Sequence, residues 1–295
     1  MSEHHHEVHG KNLLLTIVLN LIITVAQIVG GIFSGSLALL SDAMHNFSDV
    51  LSLIIAFGAN RLASRPSTKA KTFGYKRAEI LAALFNASML VGIAIFLIIE
   101  AINRLFHPSV VMSVWVVALG ALSILLNTIS VLLVKDDADH NMNIKAAYIH
   151  LLTDVMTSAM VVIGGVLIYF FHIYWIDPIV SMMIAFYLIF ASYDIIKESV
   201  SILMQFAPKN IKIENIIPYV MQFDEIQNIH HIHLWRLDDH RVHLEAHLDF
   251  AKNLTLQATN NLIDKIEQTL HMKYNISHVT LQCEYNRKDN KSIIV

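Results

Sequence analysis

The chain has one cysteine, Cys283, so no intramolecular disulfide can brace it. It is also short of charge. Asp, Glu, Lys and Arg make up 15% of the residues and hydrophobic residues 55%, whereas soluble domains carry about 25% charged residues. That deficit sets a membrane protein as the starting expectation. The net charge of -3 leaves no basic footprint for a nucleic acid. No G-x-x-x-x-G-K-[ST] run is present to hold a nucleoside triphosphate, and no H-E-x-x-H pair to build a zinc hydrolase. The N-terminus lacks a basic n-region and a small-residue cleavage site, so no signal peptide is expected.

Histidine is abundant instead, with 17 residues. It is the commonest metal ligand and titrates near neutral pH. His4, His5, His6 and His9 read as a native His-rich arm over residues 1–11, able to collect metal weakly. A helix that spans a bilayer needs about 20 mostly apolar residues. Six stretches qualify, near Asn12–Phe33, Leu37–Leu62, Ala78–Leu105, Val110–Val134, Ala146–Phe171 and Pro178–Ile196. Gly30, Gly31 and Gly35 are expected to break the first from the second. Pro178 suits a helix start, where its missing N–H does no harm. Arg61, Arg65, Lys69, Lys71, Lys76 and Arg77 crowd the connection after the second stretch, which places that loop in the cytoplasm by the positive-inside rule. With an even number of spans both termini are then cytoplasmic, and a bacterial plasma membrane is the expected location.

The six-helix region is read over residues 12–208, a small domain over 209–288 and a tail over 289–295. In the small domain Val242, Leu244, Ala246, Leu248 and Phe250 alternate with His243, Glu245, His247 and Asp249, the pattern of a half-buried strand. Helices are expected over Ile213–Phe223 and Leu254–His271, and further strands over Ile229–Leu237 and Ser277–Glu284. The order α-β-β-α-β is that of a ferredoxin-like α+β domain with one open sheet face. A core this small is marginal, and dimerisation would help it.

The second and fifth stretches each carry H-x-x-x-D, as His45 with Asp49 and His150 with Asp154. Residues four apart share a helix face. Two such helices facing each other offer two nitrogens and two oxygens, a donor set suited to tetrahedral zinc. An aspartate at mid-membrane costs about 2.5–3.5 kcal/mol on insertion scales. No lysine or arginine lies between Leu37 and Asn60 or between Ala146 and Phe171 to offset it, which leaves a visiting divalent cation, or protons, as the partner. The plainer reading is an isolated His–Asp pair within each helix. Asp42 either lines a water-filled entrance or caps its helix, and Gln27 and Asn46 either hydrogen-bond the ligands or pack helices together.

These motifs resemble the cation diffusion facilitator family. The stretches that carry the resemblance are Gly35–Asp49, Phe73–Glu79, Asn143–Asp154, Ile229–Trp235 and His278–Glu284, so it covers nearly the whole chain. It implies a homodimer of six-span protomers with a cytoplasmic domain, working by alternating access with proton antiport. It assigns His45, Asp49, His150 and Asp154 to a transport site of the zinc-preferring kind, with Cd2+, Co2+ and Fe2+ as further substrates. Zn2+ is then substrate and possible regulatory ligand, and no cofactor is required. A regulatory site is implied at His230, His247 and Glu284, with Gln282 a poor zinc ligand and Thr259 where some relatives carry another histidine. Lys71 and Tyr75 stand where relatives place a loop metal site, so none is expected there. The acid that relatives pair with the residue matching Arg77 is absent, and Glu198 is the nearest substitute. The competing readings are a membrane metal sensor, which needs no buried Asp49 and Asp154, and a metalloenzyme, for which four protein ligands leave no open zinc position.

Overall fold

The computed structural model describes residues 3–138 and 142–294. Six long helices come first: α1 (Glu3–Ser34), α2 (Leu37–Ala63), α3 (Ala78–Phe106), α4 (Ser113–Ala138), α5 (Met142–Phe171) and α6 (Ile176–Leu203). The α-β-β-α-β order follows, as α7 (Ile213–Val220), β1 (Ile226–Arg236), β2 (Val242–Phe250), α8 (Leu256–Tyr274) and β3 (Ile276–Glu284). The side chains of His4, His5, His6 and His9 lie outside the described residues, and so does the metal-collecting role read for the arm.

Among the described residues four helical stretches are long and apolar enough to cross a membrane: Ala78–Phe106, Ser113–Leu133, Tyr148–Phe171 and Ile176–Leu203. Val18–Ser34 is a shorter apolar stretch of α1. In α2 the same length of helix carries Ser41, Asp42, His45, Asn46, Ser48 and Asp49, which dilute its apolar character.

The chain divides into two compact units, Met1–Gly58 with Phe85–Ile196, and Ala59–Leu84 with Lys197–Val295. The first has a core of Leu37, Leu39, Leu97, Val161, Ile184 and Leu188 with the small residues Ala38, Ala94, Ala101 and Ala185. Small residues let helix backbones approach where lipid gives no hydrophobic drive to associate. Gly30 and Gly31 do this inside α1. A Cβ on Gly30 would meet Leu119 Cδ1 at 1.8 Å, and one on Gly31 would meet the Leu40 backbone at 3.2 Å. The expectation that both glycines break the helix is therefore corrected: they seat α1 against α4 and α2. Only Gly35, at φ +70°, makes the break.

In the second unit the sheet order is β1-β2-β3, with β1 antiparallel and β3 parallel to β2. Ile229, Leu244, Ala246 and Leu248 point to one side and pack with Ile216, Leu262, Ile266 and Leu270 of the two helices. Thr255 caps α8 by accepting the Ala258 N–H at 3.3 Å, and Asn275 ends it in the left-handed region at φ 54°. The other sheet face carries the histidines. β1 has a bulge between His230 and His233, where His231 adopts φ 51°. The bulge takes two amides out of the ladder. They find partners in the tail: the His231 N–H donates to Ser292 O at 3.0 Å and the Ile232 N–H to Ile293 O at 2.8 Å.

Candidate metal-transport site

The start of α2 is fixed first. The Ser36 hydroxyl accepts the Leu39 N–H at 3.1 Å as an N-cap. Asp177 of α6, buried, accepts the Leu37 N–H at 2.6 Å, the Ala38 N–H at 3.2 Å and the Ser36 hydroxyl. A carboxylate is favoured at this positive helix end. One turn on, the Ser41 and Ser181 hydroxyls meet at 2.6 Å, so α2 is tied to α6 at two levels.

The tie to α5 runs through Asp42. It is fully buried. Its Oδ1 accepts from the Thr157 hydroxyl at 2.9 Å, and its Oδ2 from the Ser158 hydroxyl at 2.8 Å and Gln27 Nε2 at 2.6 Å. Asn46 Nδ2 donates to Gln27 Oε1 at 3.0 Å, closing the network over α1, α2 and α5. Asp42 thus lines no solvated entrance and caps no helix. Gln27 donates to Asp42 and accepts from Asn46, so these two amides engage that network rather than the expected ligands. Sequence spacing could not show this, because the knot joins residues 115 positions apart.

Above the knot lie the four motif residues. His45 Nε2 is 3.3 Å from Asp154 Oδ1, and His150 Nε2 is 3.4 Å from Asp49 Oδ2. The same-helix distances are longer, 3.6 Å for His45–Asp49 and 3.9 Å for His150–Asp154. The closer pairs cross between helices, so isolated same-helix pairing does not describe the arrangement. One ligand atom each from His45, Asp49 and Asp154 falls within 4.8 Å of the others. His150 stands at the more open side, its ring centroid 5.9 Å from that of His45. Both nitrogens of His45, Asp49 Oδ2 and both oxygens of Asp154 are buried without a hydrogen-bond partner. Buried polar atoms are nearly always paired, and here five stand without a hydrogen-bond partner between two helices.

A second cluster lies on the histidine face of the sheet. The register pairs His230 with His247 and Asp249 with Glu284. His247 Nδ1 is 3.2 Å from Glu284 Oε1, and His230 Nε2 is 3.7 Å from Glu284 Oε2. Gln282 takes no ligand position; its amide donates to Glu284 Oε1 at 2.7 Å and orients that carboxylate. Thr259 sits buried on α8. Three members of the cluster escaped the sequence reading. Asp249 lies 3.3 Å from His230 Nδ1, and Asp289 lies 3.5 Å from His230 Nε2. Lys291 donates to Asp249 at 2.8 Å, to Glu284 at 3.2 Å and to Asp289. Asp249 had a signal, since it continues the polar alternation of His243, Glu245 and His247. Asp289 and Lys291 had none. The hydrogen bond from Lys291 holds the Asp289 carboxyl down at about 2. The ammonium in turn is held above its ordinary value: burial opposes its charge, but hydrogen bonds to Asp249, Asp289 and Glu284 outweigh it.

Elsewhere in this unit Glu198 pairs with Arg236 and with Lys209, the latter at 3.0 Å, and Arg77 Nε donates to Leu237 O at 3.4 Å. Glu198 is thus engaged by cations of its own chain rather than by Arg77.

The sequence model of the cation efflux transmembrane domain matches residues 13–204, and that of the cation efflux protein cytoplasmic domain matches residues 208–286. The chain belongs to the cation diffusion facilitator family. Among curated relatives, the transporter is 34% identical to the cadmium, cobalt and zinc/H(+)-K(+) antiporter of Bacillus subtilis strain 168, over all of this chain and 96% of that one. It is 31% identical to the metal cation efflux system protein CzcD of Cupriavidus metallidurans, over 95% of this chain and 89% of that protein. It is 33% identical to the zinc transporter ZitB of Escherichia coli K12, over 88% and 82%. The family is one of metal transporters and not of enzymes, and none of these relatives supports the sensor reading. The transporter is an integral membrane protein with a helical membrane region and a small three-stranded C-terminal domain.

Proposed function

We propose that this transporter exports Zn2+ from the cytoplasm in exchange for H+, with Cd2+, Co2+ and Fe2+ as further substrates. His45, Asp49, His150 and Asp154 form the transport site. The observation that carries the reading is the pair of cross-helix contacts, His45 to Asp154 at 3.3 Å and His150 to Asp49 at 3.4 Å, in helices whose adjoining turns hold no lysine or arginine. Two imidazoles and two carboxylates make a mixed nitrogen and oxygen set, which suits zinc better than manganese or magnesium. The names of the relatives, which include cadmium, cobalt, zinc and protons, accord with that choice.

Coordination needs the aspartates ionised and each histidine free of a proton at the coordinating nitrogen. Protons therefore compete with metal for the same lone pairs. A site that releases metal on one side and returns carrying protons couples the two fluxes without a second pathway. The Asp42 knot and the Asp177 cap hold α2 against α5 and α6, so the four ligands move with their helices. All six long helices cross the bilayer in this reading, α2 included, and both termini lie in the cytoplasm of a bacterial plasma membrane. Two protomers form the working unit. His230, His247 and Glu284, joined by Asp289, form a regulatory metal site.

Proteoliposomes loaded with a pH-sensitive dye test the coupling. Zinc flux should carry at least one proton per ion at clamped voltage, and apparent zinc affinity should fall as pH drops through about 6.5, where free imidazole protonates. Zinc flux without proton movement would reduce the protein to a uniporter. Replacing potassium with an impermeant cation in the same assay shows whether potassium takes part.

A further inference from the structure

Lys291 stands where a metal would have to go. Its ammonium is 2.8 Å from Asp249, 3.2 Å from Glu284 and 3.5 Å from His230 Nε2, and it also donates to Asp289. Of these, His230, Glu284 and Asp289 belong with His247 to a group whose ligand atoms lie within 4.8 Å of one another. The group is built for more than a lysine. His230 is fully buried, and neither its Nδ1 nor the Nδ1 of His247 has a hydrogen-bond partner. The Lys291 ammonium donates to the carboxylates and reaches the His230 Nε2 lone pair only at 3.5 Å, and it leaves the Nδ1 of both histidines without a partner. A divalent ion can be held by imidazole nitrogens and carboxylates together.

The lysine is also mechanically connected. It is followed at once by Ser292 and Ile293, whose carbonyls accept the His231 and Ile232 amides freed by the β1 bulge. Ion pair and strand clip lie on three consecutive residues, and the clip grips the residues next to the ligand His230. The ammonium and a divalent ion cannot both hold the same carboxylate oxygens, since two cations at such range repel and the oxygens have few lone pairs to share.

We propose that Lys291 is an internal competitor for metal at this site, and that metal binding expels its ammonium and unclips residues 291–294 from the bulge. The inference rests on the cluster being a metal site. It gives that site a threshold, because metal must displace a resident cation, and an output, because displacement frees a terminal segment and two strand amides. The released segment carries Ile293 and Ile294, half-exposed or more even when clipped.

The test uses the full chain with Asp49→Ala and Asp154→Ala, which silence the membrane cluster, and zinc alone as probe at neutral pH. Calorimetry compares this parent with added Lys291→Gln, Lys291→Arg, or a stop after Asn290. Hydrogen exchange follows the segments that contain His231 with Ile232 and residues 287–294. Saturating zinc should raise exchange in both segments while the rest of the β1–β2 ladder stays protected. Lys291→Gln and the truncation should bind zinc about tenfold more tightly, because no resident cation then holds the site in a metal-incompetent state, and Lys291→Arg, which keeps the charge, should bind like the parent. Unchanged affinity in Lys291→Gln, or unchanged exchange at His231 and Ile232 with zinc bound, overturns the competitor. Parent-like zinc binding by His230→Ala/His247→Ala overturns the metal-site reading itself, and the competitor with it.

Discussion

The membrane cluster and the C-terminal cluster use the same donors, imidazole and carboxylate, and differ in what is set against them. Among the described residues the ion pairs of His45, Asp49, His150 and Asp154 are with one another and with no lysine or arginine, and five of their polar atoms have no hydrogen-bond partner. Around His230, His247 and Glu284 the chain supplies Lys291 and also Arg287, which donates to Glu284 at 3.0 Å. A carboxylate pair in a low-dielectric region without a fixed cation depends on mobile ones. A pair with a resident ammonium is compensated without metal and, on the proposal above, admits metal by exchange. The first arrangement suits a cargo that must leave again. The second suits a sensor of concentration.

The comparison breaks most sharply at the carboxylates. Asp49→Ala or Asp154→Ala should lower zinc flux in sealed vesicles by more than about 100-fold, beyond what loss of a supporting group costs, with the protein still assembled by size-exclusion chromatography. Flux above half of wild type in either variant would remove that residue from the transport site.

Asp42 comes next. It touches no ligand but ties α2 to α5 through Thr157 and Ser158. Asp42→Ala should cost roughly tenfold in flux. Asp42→Asn, which keeps one acceptor oxygen, should recover most of it, with maximal rate changing more than apparent metal affinity. Equal loss in both variants would show that the negative charge matters and not the tie.

The donor type is sharpened by His45→Asp. A harder, oxygen-rich site should favour manganese over zinc relative to wild type, by about tenfold or ~1.4 kcal/mol. An unchanged metal ranking in competition assays would argue that His45 does not touch the ion.

The smallest effect is a control on the other region. Thr255→Ala removes the cap of α8 and should lower the stability of the C-terminal domain by about 1 kcal/mol while leaving zinc affinity at His230 and His247 unchanged. A drop in affinity would mean that the cluster responds to general loosening of the domain and not to Lys291.

The sequence by itself determined the helical membrane region, the α-β-β-α-β order, β2 to the residue, and the two H-x-x-x-D pairs. Each rests on a local signal: apolar length, alternation, or spacing of four along a helix. Only the tertiary structure decided which partners those residues meet. Gly30 and Gly31 read as breakers and proved to be contact points, because a glycine's use depends on what approaches it. Asp42 read as a cap or an entrance residue and proved to be the centre of a buried knot, because its donors come from α1 and α5. Asp289 and Lys291 sat in a stretch with no periodicity at all. They meet the cluster because the bulge at His231 turns two amides toward the tail, where Lys291 lies on the carboxylates of two strands.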